Sequence, residues 1–154
     1  MAVFTRVHQQ LIPAHRSDVW KYLSRSRHLL DLTPAHFHLR IVDDDLPEYI
    51  HEGLNINYTM VFLGIIRTRW ISKITAAEYE VYFIDEQPRG PFASWHHEHR
   101  LQDHPDGTLM TDSIQVEPPF GWLGFILYHV WIKHQLDRNM MYRTKVITNY
   151  FKHV

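Results

Sequence analysis

The run from Phe92 to Leu101 reads FASWHHEHRL and concentrates imidazoles in one short β-type segment. In an extended strand alternate side chains share a face, so Trp95, His97, His99 and Leu101 form one set and Ser94, His96, Glu98 and Arg100 the other. The first set holds the apolar residues and is expected to face inward, carrying two histidines with it. In the next β-type run, Thr108 to Glu117, the more apolar side holds Met110, Asp112, Ile114 and Val116. If the connection from Gln102 to Gly107 closes a hairpin with Leu101 near Thr108, His97 falls opposite Asp112. An imidazole oriented by a carboxylate can act as general base or acid, or hold a polar group of a ligand. Two satisfied polar residues in a cavity wall, without chemistry, are the alternative.

His97 and His99 with Asp112 could also offer two nitrogens and one oxygen to a metal. The His-x-His spacing is common in strands, however, and the chain has no HExxH pattern, so the expectation is no metal and no other cofactor. The chain contains no cysteine, which excludes a disulfide framework, thiolate metal sites and a cysteine nucleophile. Its 13 histidines are scattered. His36 and His38 share a side, but beside Pro34 they read as solvated. On the C-terminal segment, His129 lies in an apolar stripe, where it would line a pocket or pair within the core. Arg143, at the stripe's edge, suits an ion pair with a carboxylate of the sheet.

With 16 basic and 17 acidic residues the net charge is −1, which argues against a broad basic face for nucleic acid. The N-terminal residues lack the apolar stretch of a secretory signal. The most apolar run, Phe120 to Ile132, contains His129 and falls short of the roughly 20 residues of a membrane span. A cytoplasmic protein without integral membrane association is expected, as a monomer or homodimer.

The elements that must position these groups follow from periodicity. Val3 to Ile12 reads as a strand ending at Pro13. Ser17 is a plausible cap for a short helix with Val19, Trp20 and Leu23 inside, and Arg27 to Leu32 reads as a second one. β-type runs follow at Phe37–Val42, Leu54–Phe62, Ile65–Thr75, Glu78–Asp85, Phe92–Leu101 and Thr108–Glu117, with turns at Gly64, Ala76-Ala77, 88–91 and 105–107. Short links favour an antiparallel meander. From Pro118 onward a step of 100° per residue puts Trp122, Phe125, Ile126, His129, Ile132, Leu136, Met140, Ile147 and Phe151 on one face of a long helix. Leu136 and Met140 are expected in the core rather than in a pocket. Leu123, Leu127, Val130 and Trp131 fall off that face and need cover, expected from within the chain. The fold class is α+β, one domain over residues 1–154, with the terminal helix covering one face of the sheet.

In this order and spacing, IPAHRSDVWKYLSRSRHLLDLTP (12–34), RWISKI (69–74), YFIDEQPRGPF (82–92), WHHEHRL (95–101), GTLMTD (107–112), PPFGWLGFI (118–126) and the closing MYR (141–143) are similar to one superfamily. The chain resembles the helix-grip superfamily of START, Bet v 1 and polyketide-cyclase-like domains, in its bacterial ligand-binding SRPBCC branch. The resemblance implies a curved seven-stranded antiparallel sheet around the C-terminal helix, two short helices after the first strand, and a cavity between sheet and helix. It implies an apolar or amphipathic small ligand of lipid, polyketide or isoprenoid-like kind. The residues expected to touch it are Trp95, His97, His99, Met110, Asp112, Ile114, Phe83, Trp70, Trp122, Ile126 and His129. Two rivals stand beside ligand binding. One is a cyclase, dehydratase or hydrolase using His97, His99 and Asp112; the other is a protein-interaction module engaging a partner through the apolar start of the helix.

Overall fold

The computed structural model describes residues 2–153. Strand β1 (Phe4–Ile12) leads into α1 (Arg16–Leu23), α2 (His28–Asp31) and a single 3-10 turn at Ala35–Phe37. Six strands follow: β2 (Arg40–Ile41), β3 (Asn55–Phe62), β4 (Ile66–Glu78), β5 (Tyr82–Arg89), β6 (Ser94–His104) and β7 (Gly107–Glu117). A continuous helical rod closes the chain: α3 (Trp122–Leu127), a π-helical turn (Tyr128–Ile132) and α4 (Lys133–Lys152). The strands make one antiparallel sheet in the order β1-β7-β6-β5-β4-β3-β2, so the first strand closes beside the last. Two register shifts between β4 and β5 interrupt the ladder near Ser72 and Thr75, and such bulges bend a strand. The sheet curves round the helix as the resemblance implied.

Local chemistry moves several boundaries. The expected strand at Phe37–Val42 shrinks to Arg40–Ile41, because Phe37 closes the 3-10 turn and His38 takes a left-handed φ of 49°. Helix α1 is capped by His15 without a side-chain hydrogen bond, not by Ser17. The turn placed at Ala76-Ala77 lies instead beyond Glu78, with Glu80 at φ 60°. Strand β5 correspondingly runs past Asp85 to Arg89.

The β6–β7 hairpin matters most for the site. Both strands extend to a tight connection at Pro105-Asp106, with His104 opposite Gly107. Gly107, at φ 140°, passes so close to β1 that an added Cβ would sit 2.1 Å from the carbonyl oxygen of Ile12. The longer strands shift the register by two residues from the expected one. Asp112 therefore faces His99 directly, and His97 faces Ile114. A two-residue shift preserves which side chains point inward, because strand faces repeat every two residues.

The helix departs from constant phase. The residues buried along it are Gly124, Tyr128, Ile132, Leu136, Met140, Arg143, Ile147 and Phe151, whereas Trp122, Phe125, Ile126 and His129 are exposed. The π turn is the cause. Its wider i→i+5 turn rotates less per residue than an α turn, so steps of four stay in line through Tyr128 and Ile132. Counting back at 100° from Met140 rotates the first turns wrongly. The expectation of internal cover holds for Leu127 and Trp131, which pack partly buried against the core, and fails for Leu123, 51% exposed, and Val130, 70%.

Helix packing also decides where the interior is solid. Met110 packs in one cluster with Ile147 and Phe151, while Ile114 packs with Ile132, Leu136 and Met140 in another. The rod thus lies over β7 and fills that side. Over the inner residues of β3 to β6 it stands away from the sheet.

Candidate functional site

The space left there is a cavity of about 160 Å³. An apolar hole of about 150 Å³ is enough to take up benzene. Its walls come from Ile56, Tyr58 and Phe62 on β3, Trp70 and Ile74 on β4, Phe92 before β6, Leu29 and Leu32 near α2, and Trp131 on the helix. Aromatic rings meet edge to face along one wall: Trp70 lies 5.1 Å from Trp95 and 5.6 Å from Phe92, and Trp131 lies 5.6 Å from Phe62. The indole N–H of Trp70 is buried and has no hydrogen-bond partner among the described residues.

Among the polar groups that also line it, one set forms a connected cluster. Asp85, His97, His99 and Arg143 reach the cavity, and Asp112, 1% exposed, sits behind them. His97 donates from Nε2 to Asp112 Oδ1 at 3.0 Å. His99 Nε2 lies 2.7 Å from Asp85 Oδ2, and its Nδ1 lies 3.0 Å from Asp112 Oδ1. Trp95 Nε1–H donates to Asp85 Oδ1 at 3.3 Å. Arg143 Nη2 stands 3.7 Å from Asp112 Oδ1, which is the helix-to-sheet ion pair expected of that residue. The imidazoles stack with centroids 3.7 Å apart, and Phe83 covers the outer face of His99 at 4.1 Å.

Strand geometry places these groups. Asp85 is opposite His97 on β5, two residues from inward-facing Phe83, and Asp112 is opposite His99 on β7. Three adjacent strands thus contribute four side chains to one patch of the concave face.

Burial would raise both carboxyl pKa values, but their partners outweigh it. Arg143 and the two histidines hold Asp112 well below the usual carboxylate range, and the His99 hydrogen bond with both imidazoles lowers Asp85. Burial wins at His97, whose pKa falls, helped by neighbouring His99. At His99 burial loses to the adjoining Asp112 and Asp85 carboxylates, and its pKa rises. The two imidazoles are thus pushed in opposite directions, while both carboxyl groups are held toward the ionised form. Burial, with Asp85 nearby, also pushes the Tyr58 phenol well above its ordinary value.

The description "polyketide cyclase / dehydrase and lipid transport" is that of the family whose profile matches residues 12–144. The chain belongs to that family. Solved structures agree on the fold. A protein from Thermus thermophilus, TTHA0849, superposes with a TM-score of 0.73 at 16% identity, over 97% of this chain and 98% of that one. Major latex-like protein 151 from Panax ginseng gives 0.69 at 15% identity, over 98% and 99%. A protein from Rhizobium leguminosarum gives 0.70 at 13% identity, over 95% of each chain. No match is found among curated proteins. The architecture is the Bet v 1-like helix-grip fold.

Within this polyketide cyclase-type chain the residues singled out from sequence separate into three groups. Trp70, Phe83, Trp95, His97 and His99 line the cavity. Asp112 lies one layer back, while Met110 and Ile114 are packed under the helix and do not form cavity wall. Trp122, Ile126 and His129 leave the set altogether, since the π turn faces them outward; Trp122 is 75% exposed and His129 rests on Phe4 and Phe125. Leu136 and Met140 are buried as expected, yet both also line the cavity. Sequence reasoning missed Asp85, because it is the last residue of the expected strand, where its side chain is not assigned to a face. Continuing the alternation from Phe83 would have found it. Tyr58 and Ser72 were missed too, although both share the inward face of their strands with apolar neighbours. Among the described residues no helix is long and apolar enough to cross a membrane.

Proposed function

We propose that the protein binds an amphipathic small molecule, of lipid, polyketide or isoprenoid-like kind, apolar body first in the cavity and polar group toward the histidine–aspartate cluster. One observation carries this reading: an aromatic and aliphatic chamber is lined in one part by the buried His97, His99 and Arg143 with the half-buried Asp85. Apolar surface removed from water supplies about 25 cal/mol per Å² of affinity before the costs of binding, and a few polar groups set orientation. The unpartnered Trp70 N–H adds a donor for a ligand oxygen. The family's description joins cyclases and dehydrases with lipid transport, and a chamber of this kind suits either role.

Native mass spectrometry of freshly purified protein, before and after extraction with organic solvent, tests it. A discrete added mass lost on extraction is expected, together with low-micromolar uptake of an apolar fluorescent dye, a Kd worth about −8 kcal/mol. Ser72→Trp, which fills the chamber, weakens dye uptake at least tenfold while unfolding stays cooperative. Dye binding unchanged in that variant excludes the cavity as the site.

The cluster also favours a second reading, a cyclisation, dehydration or hydrolysis with His97 as base. Its neutral imidazole is held by Asp112 as a general base requires. Turnover abolished in His97→Ala with dye binding retained supports this reading, and turnover retained excludes it.

A further inference from the structure

We propose that Asp85, His97 and His99 form a mononuclear site for a divalent transition metal of the zinc or ferrous type in the cavity wall, with Asp112 orienting both imidazoles. The expected donors are Asp85 Oδ2, His97 Nδ1 and His99 Nε2. One ligand atom from each residue lies within 4.8 Å of the others. Asp85 Oδ2 is 2.7 Å from His99 Nε2 and 3.8 Å from His97 Nδ1. Tetrahedral zinc with bonds of about 2.0–2.1 Å sets its donors roughly 3.3 Å apart, between those two separations. Small rotations of the rings close the set.

What distinguishes this cluster from a chance grouping is that the non-ligating atoms of two ligands are hydrogen-bonded and that of the third faces a carboxylate. His97 Nε2 donates to Asp112 Oδ1, and His99 Nδ1 lies 3.0 Å from the same oxygen. Trp95 Nε1–H holds Asp85 Oδ1, which leaves Oδ2 turned toward the imidazoles. Metal-binding histidines almost always donate their second N–H to a carboxylate or carbonyl, which fixes the tautomer. Here one buried carboxylate serves both rings, and Arg143 at 3.7 Å steadies its charge.

The unsatisfied atoms of the cluster point the same way. His99 Nδ1 and Asp112 Oδ2 are buried without a hydrogen-bond partner among the described residues, the 3.0 Å contact of His99 Nδ1 with Asp112 Oδ1 lying off hydrogen-bond alignment. Drawing Nε2 onto a metal turns the ring, and a turn of that kind can bring Nδ1–H into line with Asp112. The ligand type agrees: two imidazoles and one carboxylate suit zinc or ferrous iron better than calcium or magnesium, which prefer oxygen. Two protein nitrogens and one oxygen leave at least one coordination position, and the cavity is on that side. A water, or an oxygen of the cavity's occupant such as a carboxylate or enolate, would take it. The sequence alone suggested Asp112 as third ligand; the geometry makes Asp85 the ligand and Asp112 its support. The inference rests on the cavity reading only for the occupant of the open position. Metal binding is measured without any organic molecule, so the two can fail separately.

The test uses full-length protein stripped with chelator and then freed of it. Titration with Co²⁺ should saturate at one equivalent with the intense visible bands of a four- or five-coordinate site, and Zn²⁺ should displace it. Asp85→Asn should weaken binding at least 100-fold, and Asp112→Asn, which touches no metal, 10–100-fold, the usual effect of removing such a support. His96→Gln is the control for surface histidines, since His96 pairs with Glu86 on the outer face. If either site variant fails to fold, wild-type NMR decides: Co²⁺ should shift the His97 and His99 ring signals before those of His96. Binding weaker than about 100 μM, about −5.5 kcal/mol, overturns the proposal. So does binding unaltered in Asp85→Asn, or first shifts at His96, and the cluster is then a proton-held network only.

Discussion

The two faces of β6 carry nearly the same chemistry and differ in everything that burial controls. Outward, His96 Nδ1 meets Glu86 Oε1 at 2.8 Å with both side chains more than a third exposed. Inward, His97 and His99 meet Asp85 and Asp112 at similar distances, with both imidazoles 5% exposed. Water screens the first pair, so its geometry has little consequence. In the second, the groups are largely withdrawn from water and depend on their neighbours, so one deletion leaves several unsatisfied. A single strand therefore shows that residue type and spacing do not make a site. Depth and the partners brought by the flanking strands do.

The sharpest way to break this comparison is to delete the carboxylate on each side. Asp112→Asn strands Arg143 and His99, and should cost about 3–5 kcal/mol of unfolding free energy, the range for breaking a buried ion pair. Glu86→Gln on the outer face should cost less than about 1 kcal/mol. Urea unfolding of both variants checks it; equal losses would mean the inner cluster is wetter than its burial indicates.

How far this contrast could be read from the chain depends on the element. Alternation in WHHEHRL sorted His97 and His99 from His96 correctly, and that sorting survived an error in register. The hairpin slipped by two residues, an even number, so Asp112 stayed inward while its direct partner changed from His97 to His99. Fold class was legible from the order of strands and helices and from the family's motifs. Asp85 was not, because the strand's end was set by local turn propensity and the true β5 continues through Pro88. The helix start failed for a different reason. A π turn adds a residue to the repeat, and nothing in YHVWI announces it. Packing against the sheet decides it, and the apolar side chains it turns outward looked like core.

A smaller effect sharpens the comparison through pH, in metal-free protein with chelator present. Asp85 and Asp112 have folded pKa values below 3.8, so their stabilisation holds above that value and is lost as pH falls through the folded ones. His97 is depressed below 6.5. The unfolded chain gains its proton first, and stability declines as pH drops below 6.5. His99 runs oppositely: raised above 6.5, it contributes fully below 6.5 and loses that contribution as pH rises through its folded value. Wild-type stability should therefore lose the His99 contribution as pH rises above 6.5, and His99→Gln should remove that decline while His97→Gln removes the one below 6.5. Denaturant midpoints from about pH 5 to 9 report both limbs. A decline above 6.5 that persists in His99→Gln would assign it to another group.

The smallest expected effect belongs to the outer face and sets the scale for the rest. His96→Gln removes an imidazole paired with Glu86 but keeps a polar side chain able to reach it. Substitutions at such half-exposed positions usually fall within about ±0.5 kcal/mol. Because β6 is central, lying between β5 and β7, its backbone ladder does not depend on that side chain. The midpoint of urea unfolding should stay within that margin, and raising salt to about 1 M, which shortens the screening length to about 3 Å, should change wild type and His96→Gln alike. His97→Gln at the same ionic strengths should remain less stable than both, since salt does not reach a contact that water does not reach. A salt-dependent gap between wild type and His97→Gln would place water beside the inner cluster and dissolve the distinction between the two faces.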